Sequence, residues 1–152
     1  MEFSQEQMNA FLVGTSQRTD LDLWTRSVTE MSGPRQVFVR VWELEQEVCN
    51  GGFRQYFHNM SGEGAPLCAS ALRTIGAEAT ARLVEQSISA FGSDTVWQDE
   101  DARQAQADSL DAAVAEQLDD LDQTFYQYED NLTALLFGFV IANIGSFPPP
   151  QA

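Results

Sequence analysis

Apolar positions recur along this chain at intervals of three and four, the spacing that lines one face of a helix, and no run alternates as a strand would. Ser4 with Gln7 reads as a capping box ahead of Met8, Phe11 and Leu12. Asp20 is placed to cap a helix whose apolar face is Leu21, Trp24, Val28 and Met31. Gly33 and Pro34 stop that helix and start another, striped by Val37, Val41, Leu44 and Val48 and flanked by Phe38 and Trp42. Gly51 is expected to close it, because glycine accepts the left-handed conformation that ends helices.

Beyond this joint, residues 53–60 predict a short helix and "SGEGAP" a loop with Pro66 in a first-turn position. Leu67, Ala71, Leu72 and Ile75 form the next face, which Gly76 breaks, and Leu83, Val84, Ile88 and Phe91 mark a helix over 78–91. "GSDTVWQDED" is expected to be a loop, and the remainder to Asn143 one or two long helices, stopped before the "PPP" tail. The pattern predicts an all-α fold of about seven to nine helices in a single domain, 1–147, followed by a Pro-rich tail, 148–152.

The last third adds charge to the pattern. Between Asp94 and Asp130 stand twelve acids and one base, Arg103, a net of −11 against −4 for the rest of the chain. Wound as one helix at about 100° per residue, Leu110, Val114, Leu118, Leu121, Phe125, Tyr128, Leu132, Leu135 and Phe139 share an arc of about 100°. Asp101, Asp108, Asp111, Asp119 and Asp122 share a second arc of about 80°, closest to the first at Asp111 and Asp122. From Asp101 to Asp122 such a helix would run about 33 Å, with roughly one charge per 5 Å; duplex DNA carries one per about 1.7 Å. The plain reading of such a row is a solvated face; the functional one is a binding surface.

Composition narrows the function classes. Of 152 residues, 43% are hydrophobic, enough to fill one core, and the net charge is −15 with every base an arginine. Without lysine there is no P-loop and no Schiff-base chemistry. Such a chain is repelled by nucleic acid and by anionic membranes, so a partner chosen by charge is basic. The longest apolar run, residues 135–144, is too short to span a membrane and no signal peptide opens the sequence, which makes a cytoplasmic protein the expectation. Cys49 and Cys68 lack CxxC spacing.

The joint itself, "EVCNGGFRQYFHNMSGE", concentrates reactive residue types. Cys49 as nucleophile with His58 as base is one reading; a helix-end thiol packed as a small hydrophobe and a half-buried histidine is the other. Neither "DED" at 99–101 nor "DDLD" at 119–122 has the spacing of a calcium loop, and HExxH is absent, so no metal and no cofactor are expected.

"EVCNGGFRQYFHNMSGEGA", "ALRTIGA" and "LDDLDQTFYQYEDNLTALLFGFVIAN" together resemble the family of unknown function that includes the Neisseria DNA mimic protein nineteen. The resemblance runs from about Val37 to Asn143 and departs at Cys49, where the family more often has a polar residue. It implies an all-helical, dimeric domain without catalytic activity, and, for the mimic, an acidic surface standing in for duplex phosphates. The signature marks the joint; the acidic positions come from the helical wheel. The combined expectation is a homodimeric, non-enzymatic DNA mimic. It would bind the basic surface of a transcription factor or nucleoid-type protein through Asp94, Asp99, Glu100, Asp101, Asp108, Asp111, Glu116, Asp119, Asp120 and Asp122. The alternatives are an immunity or antitoxin protein neutralising a basic toxin, and an enzyme with its site near Cys49 and His58.

Overall fold

The computed structural model describes residues 2–24 and 33–149, and these form an all-α fold. In chain order the helices are α1 (Gln5–Ser16), α2 (Gly33–His58), α3 (Ala65–Thr74), α4 (Glu78–Phe91), α5 (Glu100–Asp108), α6 (Ala112–Phe125) and α7 (Leu132–Ala142). Short 3-10 turns cover Met60–Gly64 and Ile144–Ser146. Among the described residues no helix is long and apolar enough to cross a membrane.

The capping box at Ser4 is present in full: the Ser4 hydroxyl accepts the Gln7 N–H, and the Gln7 side chain accepts the Ser4 N–H. The helix expected after Asp20 is different. Residues 18–24 form turns that bury Leu21 and Leu23, while the Trp24 indole is held on the Ser16 carbonyl at 2.7 Å; Val28 and Met31 lie outside the described residues.

The long helix α2 is the axis of the fold. Of its expected stripe Val41, Leu44 and Val48 are fully buried, Val37 is half-buried and the flanking Phe38 takes its place in the core; α3, α5, α6 and α7 all pack on this helix. In α3 the expected Ala71, Leu72 and Ile75 are buried, whereas Leu67 is exposed and Cys68 takes its place on the core face. The stretch expected to be a loop before Pro66 is a 3-10 turn running straight into α3. Helix α4 has the expected bounds, fixed by glycines on both sides.

After Asp99 the chain departs from one or two long helices. α5 ends at Ser109, and Asp111 starts α6 afresh by accepting the Val114 N–H at 2.9 Å. A second break at residues 126–131 contains Tyr128 at φ 49° and ends on Asn131, which caps α7. The apolar stripe therefore belongs to two helices and a turn, in which Tyr128 is exposed. On α7 the structure buries Phe137 between the rings of Phe3 and Phe11, and Phe147 closes the core on Phe38.

Candidate functional site

At the glycine pair α2 bends. Gly51 has φ −156°, open to any residue, whereas Gly52 has φ 80° and ψ −179°, a region confined to glycine. The conformational demand thus falls on Gly52, one residue after the position expected from the sequence. Its purpose is steric as well: a Cβ at position 52 would overlap Oδ2 of Asp122 and come within 2.8 Å of Cγ. That carboxylate accepts the Phe53 N–H at 2.8 Å, supplying from α6 the cap that the second arm of α2 lacks at its start.

Asp122 is only 9% exposed. It therefore leaves the row of surface acids: on the α6 wheel it sits at the edge of the core face, one turn from Asp119 and well away from Glu116 and Asp120. Burial raises its pKa; the Phe53 N–H bond opposes this and the charge of Asp119 adds to it.

The one base of the acidic segment also turns inward. Arg103, 1% exposed, donates to the carbonyls of Phe57 and Asn59 at the end of α2 and to that of Trp97 in the preceding loop. A cation over the unsatisfied carbonyls of a helix C-terminus has the favourable sign. Arg54 reaches the other way, from α2 to the Ala107 carbonyl of α5, at 2.8 Å. The joint thus mounts α5 through Arg54 and Arg103, and α6 through Asp122.

What remains outside is acidic. Asp99 and Asp111 are N-caps, Asp130 caps α4 through the Thr80 N–H and hydroxyl, and Glu100 accepts from Gln104. Asp108 ends α5, the disfavoured end for an anion, with His58 Nε2 3.5 Å away. Asp94, Asp101, Glu116, Asp119 and Asp120 are exposed and have no hydrogen-bond donor or ion-pair partner among the described residues. Because the chain breaks at 109–111, these acids do not form one 33 Å row: Asp94 lies in the turn before α5, Asp101 on α5, and Glu116, Asp119 and Asp120 on α6. Helix α6 spans about 21 Å and carries Glu116, Asp119 and Asp120 on one outward face.

The reactive types of the joint are separated. Cys49 Sγ lies 3.1 Å from the Tyr128 hydroxyl, while His58 faces Asp108 and Asn59. An open depression of about 470 Å³ next to His58 is lined by Asn50, Arg54, Gln55 and Asn59. Glu47 braces it, accepting from Gln55 and Asn59. Cys68 is buried and its thiol is pushed up to about 12 by desolvation. Among the described residues no group of three or more His, Cys, Asp or Glu could hold a metal ion.

Compared with known proteins, residues 29–143 match the model of the DMP19-like protein family. No curated protein and no solved structure matches the chain.

Proposed function

The chain belongs to the DMP19-like family, and on that premise we propose that it is a non-enzymatic DNA mimic that occupies the basic surface of a DNA-binding protein. The observation that carries the reading is the disposition of charge around the joint. Arg103, the only base between Asp94 and Asp130, is buried on backbone carbonyls, and Asp94, Asp101, Glu116, Asp119 and Asp120 are exposed without partners among the described residues. Carboxylates on α5 and α6, each helix packed on α2, are pre-positioned to meet Arg and Lys, and an interface of this kind weakens as salt rises. Asp99, Asp111 and Asp122 serve the fold, and the mimicking surface is assigned to the outward acids with Glu100 and Asp108.

Self-association belongs to the same proposal. Helix α7 is apolar on nearly every side, and Ile141 with Ile144 remains exposed at its end, the composition of a face that a second copy would cover.

The test is capture at low salt of a basic DNA-binding protein from the source cell on the immobilised chain, followed by elution with duplex DNA. Release by duplex at constant salt supports the reading. A partner that duplex cannot displace, and that does not bind duplex itself, sinks it.

A further inference from the structure

In the break between α6 and α7, Tyr128 sits at φ 49°, in the left-handed region that a bulky side chain seldom enters. Such a backbone is kept only where the surroundings fix it. Here the ring rests on Phe125, with centroids 5.6 Å apart, and the hydroxyl reaches two residues of α2: it lies 3.1 Å from Cys49 Sγ and bonds to the Glu45 carboxylate. Desolvation, with Cys49 and Glu45 beside it, holds the phenol in its neutral form, so it has a proton to donate.

Glu45 is half-buried and forms no ion pair among the described residues. Burial raises its pKa, and the Tyr128 hydrogen bond opposes the rise. That one donor leaves most of the carboxylate open, since its two oxygens offer about four acceptor sites. A carboxylate taken partly out of water ordinarily has a cation beside it.

Glu45 and Tyr128 open on a cavity of about 360 Å³ where α2 meets the first turns of α1 and α7, and Glu45 is the only formal charge among the lining residues. One wall is fixed: Gln5 and Asn131 exchange two amide hydrogen bonds, of 3.2 and 3.0 Å, and Asn131 also caps α7. Leu132 and the Tyr128 ring supply apolar surface, and Thr133 a hydroxyl. An acid beside an aromatic ring in a space of this size suits a small organic cation. A guanidinium is planar, weakly hydrated, packs on aromatic rings and pairs a carboxylate through a fork of donors; an ammonium is strongly hydrated and loses more on entering a half-buried space.

We propose that this pocket binds a guanidinium group, forked on the Glu45 carboxylate and packed against the Tyr128 ring, with its alkyl stem on Leu132. The same chemistry is offered by a free alkylguanidine and by an arginine side chain of another protein. None of the outward acids of α5 and α6 takes part, so the pocket stands or falls apart from the DNA-mimic reading.

The test is an NMR titration of the full chain with n-propylguanidinium, read at the methyl groups of Leu132 and Thr133 in about 0.15 M salt, which screens the diffuse attraction of a net charge of −15. n-Propylurea, its neutral counterpart in shape, and n-butylammonium are parallel probes. Propylguanidinium is expected to give saturable shifts at both residues, butylammonium to bind more weakly, and propylurea to give no shifts. Glu45→Gln should weaken propylguanidinium by at least about tenfold, the loss of a hydrogen bond to a charged group. Thr133→Lys places a tethered ammonium in the pocket and should abolish the shifts at Leu132 even where Glu45→Gln does not fold. A blocked tripeptide with arginine at its centre separates the sources: the same shifts assign the group to an arginine side chain of a protein, and their absence beside propylguanidinium binding assigns it to a free compound. The proposal is overturned by the absence of saturable shifts with propylguanidinium, by equal binding of propylurea or butylammonium, or by undiminished binding in either folded variant.

Discussion

Asp122 and Phe53, 69 residues apart in sequence, are joined by a 2.8 Å hydrogen bond that passes through space left open by the missing Cβ of Gly52. This contact ties α6 to the bend of α2, and it explains why the glycine pair needs its second member more than its first.

Substituting Gly52 by Ala should therefore destabilise the protein by about 3 kcal/mol or more, combining a backbone region costing about 1–3 kcal/mol with displacement of the Asp122 carboxylate. Gly51→Ala should cost less, about 1–2 kcal/mol, since its backbone is ordinary and its new Cβ meets only the Gln55 side chain, which must turn away from Glu47 to make room. Urea denaturation of both variants checks the order. Equal losses would place the strain elsewhere.

Glu43 makes stability depend on pH. Burial, opposed by Arg40 and reinforced by Glu47, raises its carboxyl from 4.5 to about 7. A raised acid binds its proton more tightly when folded, so its contribution is complete below about 4.5 and is lost as pH rises through about 7. Glu43→Gln should remove this loss, making the variant more stable than the parent at pH 8 by on the order of 2–3 kcal/mol, with little difference at pH 4.5. Denaturation midpoints at the two pH values decide it.

Arg103 serves three carbonyls from one buried fork. Lysine keeps the charge and cannot span them, so Arg103→Lys should cost about 2–4 kcal/mol despite being conservative in charge. Thermal unfolding checks this, and a loss below about 0.5 kcal/mol, the usual range of surface changes, would contradict the bracing role.

Ile141 is exposed on α7. Ile141→Asp should leave the far-ultraviolet circular dichroism unchanged and halve the mass measured by light scattering; a parent that is already monomeric would remove self-association from the proposal.

Much of the helical framework was legible in the sequence. Helix α4 stands between Gly76 and Gly92, and the Ser4 box and the stripe of α2 declare themselves by spacing alone. The breaks at 109–111 and 126–131 were not legible in that way, because neither contains glycine or proline and the apolar period runs through both. Asn131 before the apolar run of α7 was the available signal for the second; Asp111, the cap that marks the first, was hidden among its acidic neighbours. Asp122 lay at the edge of the apolar arc, but sequence position alone does not separate a buried acceptor from a surface charge. Nor does a Gly-Gly pair reveal which member carries the positive φ.

Acids that hold the fold are distinct from acids that face a partner, and one comparison tests that division most directly. Asp101→Asn, Glu116→Gln, Asp119→Asn and Asp120→Asn are combined in one chain, and its competition with duplex DNA for the captured basic partner is measured beside its unfolding midpoint. The expected result is an unfolding midpoint equal to or above that of the parent, from reduced self-repulsion, with competition weakened at least about tenfold and its salt dependence flattened. A stable variant that competes with duplex as well as the parent would contradict the assignment of these carboxylates to phosphate mimicry.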